Sequence, residues 1–193
     1  MMIRHVIQAL WLGLLVYWLI GATRIKRAKR MERRGSRLLR LTLTVFVFAF
    51  LFNPRTEVGW LGERFVPRSE AIAVIGAILT ALGVGLAAWA RYVLEKNWSA
   101  AVTLKESHEL IRSGPYARIR HPIYSGIILG LLGTALAIGE WRALVGAAVM
   151  WTSYFFKARR EEALLSGEFG AAFQDHLRRT GMFLPRFSSP EQP

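Results

Sequence analysis

The chain has 193 residues, of which 53% are hydrophobic and only 20% are charged, with 26 lysines and arginines against 13 acidic residues. The apolar residues are collected into long runs that a soluble domain would interrupt. This pattern favours a membrane protein with basic cytoplasmic loops over a nucleic-acid-binding protein. The chain contains no cysteine, which excludes disulfides, thiolate metal sites and cysteine nucleophiles.

Five apolar segments follow one another along the chain, and each approaches the roughly 20 residues that a helix needs to cross a hydrocarbon core. They are residues 6–23, 38–53, 71–94, 122–139 and 141–156. We therefore predict an all-α integral membrane protein with about five transmembrane helices. The second segment is short and contains Arg40, so an interfacial or re-entrant helix is the alternative there. The last two segments are joined only by a turn at 139–141, which predicts a C-terminal helical hairpin.

The basic residues predict the orientation of these helices. Residues 24–40 contain nine lysines and arginines and one glutamate, and residues 95–120 contain five basic residues, whereas 54–68 contain three basic and two acidic residues. The positive-inside rule then places the N-terminus outside and both basic loops and the C-terminal tail in the cytoplasm. We expect the membrane to be a bacterial or archaeal inner membrane. A nucleic-acid-binding arm is the alternative for residues 24–40, but no interleaved aromatic residues support it.

The densest polar sequence, GPYARIRHPIYSG at residues 114–126, lies at the start of the fourth segment. Pro122 suits the first turn of a helix, which makes His121 the N-cap and places Tyr124 in the first turn. The free amides and the positive end of such a helix favour an anion. Ordinary turn and membrane-interface roles for the prolines and tyrosines are the structural alternative.

A second polar cluster, residues 157–162, follows the fifth segment, and the hairpin brings it opposite the first. Adjacent carboxylates at Glu161 and Glu162 are costly beside a bilayer, and Lys157 lies one helical turn before Glu161. An ion pair on a solvated helix end is the structural alternative. A carboxylate that faces an imidazole and a helix N-terminus would instead bind a zwitterion, such as a free amino-acid moiety. The four histidines lack the spacing of a metal site, so we assign no metal.

These two clusters carry a family resemblance. NWSAAVTLKESHELIRSGPYARIRHPIYSG and RREEALLSGEFGAAFQDHLRRTGMFLPRF, joined by the apolar hairpin, resemble the isoprenylcysteine carboxyl methyltransferase family and its wider phospholipid methyltransferase relatives. The resemblance covers roughly residues 96–187 and implies a methyltransferase core there, with a cytoplasmic cofactor-binding loop and tail. The apolar segments predict N-terminal transmembrane helices 1–3 over residues 1–95. Residues 188–193 are rich in proline and serine and are predicted to be disordered.

The resemblance also implies the chemistry. The enzyme would be an S-adenosylmethionine-dependent methyltransferase that releases S-adenosylhomocysteine and acts on a lipidic or prenylated acceptor among membrane lipids, with no nucleic-acid or metal partner. The implied cofactor contacts are His108, Glu109, Leu110, Ile111, Tyr116, His121, Pro122, Ile123, Tyr124 and Glu161. The implied catalytic residues are Lys157, Arg159 and Glu162. The family has an arginine where this chain has Lys157, and lysine lacks the bidentate fork, so Arg159 or Arg160 is the compensating cation to consider.

Several alternatives remain open from the sequence. Carboxyl O-methylation is the main prediction, and N-methylation of a phosphatidylethanolamine-type lipid, with Glu162 as base, is the first alternative. An NADPH-dependent membrane reductase of related fold and a non-enzymatic scaffold are the others. The tripeptide Gly83-Val84-Gly85 either matches a Gly-x-Gly cofactor motif of phospholipid-methylating relatives or serves close helix packing.

Overall fold

Six α-helices form the fold within the residues that the computed structural model describes, which are 2–21, 28–31, 34–53, 59–94, 103–105 and 110–187. They are α1 (Met2–Gly21), α2 (Arg34–Phe52), α3 (Glu70–Leu94), α4 (Pro122–Ile138), α5 (Trp141–Phe169) and α6 (Ala171–Arg179). The five predicted apolar segments correspond to α1 to α5. By length and composition α1 and α3 can cross a membrane, and α2 and α4 contain shorter apolar helices. The prediction of a helical fold is therefore confirmed.

Helix α5 is much longer than the apolar segment that predicted it. The apolar sequence ends at Phe156, but the helix continues to Phe169. Residues 157–169 are rich in lysine, arginine, glutamate, alanine and leucine, which have high helix propensity, so the helix continues as a polar extension. This extension carries the second polar cluster.

Beside the six helices, two short strands pair in antiparallel fashion. They are β1 (Ala28–Met31) and β2 (Thr103–Lys105). Strands of three or four residues are too short to show an alternating pattern in the sequence, so their signal is absent from it. The pair connects the basic stretch 24–40 to the stretch 95–120, as expected if both lie on one side of the helices.

Helices α3 and α4 pack with their backbones in direct contact. A Cβ atom added to Gly83 would lie 2.5 Å from the carbonyl oxygen of Gly126, and one added to Gly126 would lie 2.6 Å from the backbone nitrogen of Ala87. By contrast, a Cβ atom on Gly85 would meet nothing within 4 Å. Gly83 therefore serves close helix packing, which fixes the N-terminal end of α4 against the C-terminal half of α3.

The predicted hairpin is present, and α5 packs antiparallel to both α4 and α2. Gly139 ends α4 with a φ of 75°, a left-handed conformation that glycine adopts without strain. At the start of α5, buried Arg142 donates hydrogen bonds to the carbonyls of Phe50 (3.0 Å) and Asn53 (2.7 Å) at the end of α2. The side chain of Val47 packs against Gly146 one turn further along α5.

Candidate functional site

The N-terminal end of α4 is arranged as the sequence predicted. Pro122 occupies the first turn, and His121 is the N-cap but makes no capping hydrogen bond with its side chain. Its imidazole is instead buried and turned toward α5, with 7% of its surface exposed. The first-turn amides of α4 are therefore left without a side-chain cap, which suits the binding of an anionic group.

Glu161 is the centre of the site. The Tyr124 hydroxyl lies 2.8 Å and 2.7 Å from its two carboxylate oxygens and donates its hydrogen bond to this carboxylate. Nδ1 of His121 lies 3.5 Å from Oε2, and the Lys157 ammonium lies 3.9 Å from Oε1. The hairpin therefore brings the two polar clusters together, and Glu161 lies among one phenol, one imidazole and one ammonium.

Glu162 forms a second carboxylate centre beside the first. Nε of Arg120 lies 2.6 Å from its Oε1, and Nε2 of His121 lies 3.4 Å from the same oxygen. Nε2 is fully buried, but it is not aligned for a hydrogen bond with any described group, so its contact with Glu162 is an ion pair. This nitrogen is the polar atom of the site that lacks a hydrogen-bond partner.

The charges of this cluster stabilise one another. Burial opposes the protonated imidazole, but the close contacts with Glu161 and Glu162 outweigh it and raise the pKa of His121. Burial raises the pKa of Glu162, but His121 and Arg120 outweigh it and hold that pKa below its ordinary value. Burial also raises the pKa of Glu161, but the charge of Lys157 and the contacts with His121 and Tyr124 outweigh it and lower that pKa. Both carboxylates are therefore ionised at neutral pH.

Three stacked rings lead from the N-cap toward the apolar part of α5. The ring centroids of His121 and Tyr124 are 5.3 Å apart with an angle of 6° between the rings. Those of Tyr124 and Tyr154 are 4.9 Å apart with an angle of 16°. The Lys157 ammonium lies 5.0 Å from the centroid of the Tyr124 ring, which is the geometry of a cation–π contact.

The segment after α6 forms a wall of the site. The backbone N–H groups of Arg120 and His121 donate to the carbonyls of Gly181 (2.8 Å) and Met182 (3.1 Å), and the Ser125 hydroxyl donates to the carbonyl of Phe183 (2.6 Å). The Phe183 ring centroid lies 6.1 Å from that of His121. These bonds hold residues 181–183 along the start of α4.

Helix α6 is attached to the loop before α4 by charged contacts. Arg112 lies 3.4 Å from Asp175 and also donates to the carbonyl of Ala172. His176, the next residue of α6, is buried. Burial, together with the charges of Arg112 and Arg120, lowers the pKa of His176 from 6.5 to about 4. His176 is therefore neutral at physiological pH.

The structure places most of the sequence-predicted site residues around this cluster. Tyr116, Pro122 and Ile123 are buried beside it, Leu110 is half-buried, and Ile111 packs against the buried core. His108 and Glu109 lie outside the described residues. The side chain of Arg159 is exposed on α5, and that of Arg160 is exposed as well, so the structure does not bring Arg159 into the cluster.

Three features of the site were not among the sequence-predicted residues. Arg120 binds Glu162, Tyr154 extends the ring stack, and residues 181–183 line the start of α4. A signal for Tyr154 does exist in the sequence, because positions 154, 157 and 161 lie on one face of a helix. The place of residues 181–183 depends on a contact across 58 or more positions and has no local signal.

Comparison with known proteins identifies the family. The profile of the family described as phospholipid methyltransferase matches residues 71–172, slightly more than half of the chain. The chain belongs to the phospholipid methyltransferase family. The predicted resemblance is thereby confirmed.

Two relatives that are similar to this chain carry different names. The cobalt-zinc-cadmium resistance protein CzcN of Cupriavidus metallidurans is 34% identical over 77% of this chain and 62% of that protein. The protein-S-isoprenylcysteine O-methyltransferase of Saccharomyces cerevisiae is 31% identical over 61% of this chain and 50% of that enzyme. This phospholipid methyltransferase family member thus spans between half and two thirds of the length of these relatives.

A solved structure supports the fold. The eukaryotic intramembrane Ras methyltransferase, an isoprenylcysteine carboxyl methyltransferase, matches with a TM-score of 0.52 and 23% identity, over 80% of this chain and 54% of that one. This likeness shows that the two chains share a fold over the matched part.

Proposed function

We propose that the chain is an S-adenosylmethionine-dependent methyltransferase of the membrane that transfers a methyl group to the carboxylate of a lipidic or prenylated acceptor. The observation that carries this proposal is the position of Glu161, which lies among Tyr124, His121 and Lys157 at the uncapped N-terminal end of α4. The Glu161 carboxylate is a suitable partner for an ammonium, and the N-terminal end of α4 is a suitable partner for a carboxylate. The methionine half of the cofactor carries both groups.

The described residues fit this cofactor. Glu161 would bind the ammonium, and the first-turn amides of α4 with Nε2 of His121 would bind the carboxylate. Nε2 of His121 is buried and makes an ion-pair contact with Glu162 but no hydrogen bond, so its N–H remains to be donated to the carboxylate of the cofactor. Tyr116, Ile123 and Phe183 would surround the remainder of the molecule. When bound, the cofactor supplies an activated methyl group on a sulfonium, so the protein has mainly to align the reactants and to exclude water.

The charge balance of the cluster favours a carboxylate acceptor over an amine. Arg120 and Lys157 balance the charges of Glu161 and Glu162, and the raised pKa of His121 favours its positively charged form. Because the sulfonium adds another positive charge, an anionic acceptor is stabilised and an ammonium is opposed. Glu162 would also be a weak base for an amine, because the pKa of this carboxyl group is held low by its contacts with His121 and Arg120.

Lys157 and Glu162 keep distinct roles in this proposal. The Lys157 ammonium lies between Glu161 and the Tyr124 ring and would limit the negative charge that the sulfonium faces. Glu162 would hold Arg120 and His121 in place and would act as a positioning residue. Arg159, which is exposed, would instead contact lipid head groups at the membrane surface.

The membrane topology that we propose follows from the charge of the loops. With five crossings, the N-terminus is outside, and the site and the C-terminal tail are cytoplasmic. The cofactor then enters from water, while the acceptor enters from the bilayer. The division into N-terminal helices over residues 1–95 and a methyltransferase core over 96–187 remains a proposal as well.

The relatives support the proposal of methyl transfer, but their names do not agree on the molecule that accepts the methyl group. One is named for isoprenylcysteine O-methylation and another for metal resistance. No group of three or more metal-ligating side chains occurs in the part of the chain that the structure describes. The chemical class of the methyl acceptor is therefore the part of the proposal that the next experiment tests.

The decisive experiment incubates the purified protein in detergent with methyl-labelled S-adenosylmethionine and two acceptors, an S-prenylcysteine and phosphatidylethanolamine. Base-labile label on the prenylcysteine is expected, because a methyl ester is hydrolysed by base. Base-stable label on the amine would refute carboxyl methylation and support the N-methyl alternative. Saturable binding of NADPH without binding of S-adenosylmethionine would refute methyl transfer altogether.

A further inference from the structure

Arg120 directly precedes the N-cap residue of α4, and the proposed function gives it no task beyond balancing the charge of Glu162. Its side chain is only 12% exposed. An arginine that is enclosed to this extent is costly unless its donors have partners. The contacts of the guanidinium therefore indicate what Arg120 does in the site.

The guanidinium of Arg120 is held in a fixed direction. Nε lies 2.6 Å from Oε1 of Glu162, and Nη1 donates to the carbonyls of Leu177 (3.4 Å) and Thr180 at the C-terminal end of α6. The backbone N–H of Arg120 donates to the carbonyl of Gly181 (2.8 Å). Because a guanidinium is planar and its donors form a rigid fork, the bonds to α6 keep Nε directed at Glu162.

The imidazole of His121 lies beside the same carboxylate oxygen. Its Nε2 atom is 3.4 Å from Oε1 of Glu162, but it is buried and is not aligned for a hydrogen bond. The ring is held from other sides, since Nδ1 lies 3.5 Å from Oε2 of Glu161 and the ring stacks on Tyr124. Arg120 and His121 therefore share one oxygen, and the shorter contact, a charge-assisted hydrogen bond, belongs to Arg120.

A second arginine allows the contact with Glu162 to be separated from the attachment of α6. Arg112 also donates to a carbonyl of α6, that of Ala172, and lies 3.4 Å from Asp175. Two arginines thus attach α6 to the loop before α4, and Arg120 is the one of the two that binds Glu162. A role of Arg120 in attachment alone would be shared by Arg112, whereas a role through Glu162 would not.

We propose that Arg120 is a positioning residue that occupies Oε1 of Glu162 and thereby keeps the Nε2 N–H of His121 available to the carboxylate of the cofactor. Without Arg120, Glu162 would accept a hydrogen bond from Nε2, and an incoming carboxylate would have to break that bond. The unpaired charge of Glu162 would also repel the incoming carboxylate. The identity of the ligand rests on the proposed function, but the competition between Arg120 and His121 for Glu162 does not.

The first test measures the affinities for S-adenosylhomocysteine and for its decarboxylated analogue, which keeps the adenosine, the sulfur and the amine. The detergent-solubilised wild type is compared with R120Q, with R120Q/E162Q and with the control R112Q. We expect the wild type to bind S-adenosylhomocysteine about 10- to 100-fold more tightly than the analogue, as for a hydrogen bond to a charged group. R120Q should lose most of this preference with little change in the Kd of the analogue. R120Q/E162Q should regain the preference, and R112Q should retain it.

The second test needs no ligand and follows the Nε2 proton of His121 by NMR of isotope-labelled histidine side chains. The chain has four histidines, so the signal of His121 is assigned by its loss in H121Q. The proton should move downfield in R120Q, because it enters a hydrogen bond with Glu162, and it should return to its wild-type position in R120Q/E162Q.

Two results of the binding test would overturn the proposal. Equal losses of affinity for both ligands in R120Q would show that Arg120 only supports the fold, and an unchanged preference would show that it has no part in binding. A reduced preference without the downfield shift would leave only the loss of a positive charge, and the proposal would fail as well. If R120Q does not fold, R120K decides by the same criteria, because an ammonium lacks the fork that reaches Glu162 and α6 together. If the wild type binds neither ligand, the proposed function fails, and the NMR signal still decides whether Arg120 keeps Glu162 from His121.

Discussion

Replacing Glu161 with glutamine provides the sharpest test of the cofactor site. Glutamine keeps the shape of the side chain and can still accept a hydrogen bond from Tyr124, but it removes the charge that faces His121 and Lys157. A charge-assisted hydrogen bond in a partly buried site contributes about 1.5 to 3 kcal/mol. The side chain is 20% exposed, so this range applies without a large reduction for solvent screening. At about 1.4 kcal/mol per factor of ten, the Kd of S-adenosylmethionine should rise roughly 10- to 150-fold.

The assay is isothermal titration calorimetry of the detergent-solubilised protein with S-adenosylmethionine and S-adenosylhomocysteine. Glu168→Gln is the matched control, because Glu168 lies on the same helix and its side chain is exposed. This control should bind both ligands with wild-type affinity. An E161Q protein that melts at the wild-type temperature and binds the cofactor within twofold of the wild type would refute the assignment of Glu161.

Three further predictions concern stability, each measured by thermal or denaturant unfolding in detergent. Gly83→Ala should lower the free energy of unfolding by about 2 kcal/mol or more, because the new methyl group meets the backbone of α4. Gly85→Ala should be neutral or slightly stabilising and should leave cofactor binding unchanged. Equal losses of stability in both variants would contradict the packing role of Gly83. Between pH 6.5 and about 4 the unfolded chain binds a proton on His176 that the folded chain lacks, so stability should fall as pH is lowered through this range, by at most about 3 kcal/mol. A His176→Gln variant should lose that part of the pH dependence, and an unchanged pH profile would contradict the assignment. Arg142→Leu should lower the free energy of unfolding by about 3 to 5 kcal/mol, because it removes the guanidinium that donates to Glu140 and to two carbonyls at the end of α2. A loss below about 1 kcal/mol would show that water replaces the guanidinium.

The helices were predictable because their signal is local. Each apolar run is long enough to be recognised by itself, and Pro122 and Gly139 mark the ends of α4 in the sequence. The extension of α5 to Phe169 was not predicted, because the apolar run ends at Phe156. Residues of high helix propensity continue beyond that point and extend the helix. The strands β1 and β2 were missed because each is stabilised by a partner more than 70 positions away.

The site was predictable in part for the same reason. His121, Tyr124 and Glu161 could be brought together because the hairpin between them is short and its geometry is constrained. Arg120 could not be assigned to Glu162 from the sequence, since the direction of a side chain depends on the tertiary environment. The contact of residues 181–183 with α4 likewise arises only after α6 has folded back on the loop.

The sequence resemblance implies an arginine at the position of Lys157, and the contacts of this lysine indicate why a smaller cation suits the site. The ammonium occupies a narrow space between the Tyr124 ring and Glu161, and the side chain is 7% exposed. A guanidinium there would place its larger planar group against the ring stack that joins Tyr124 to Tyr154. A compact lysine therefore leaves the stack of Tyr124 on Tyr154 undisturbed.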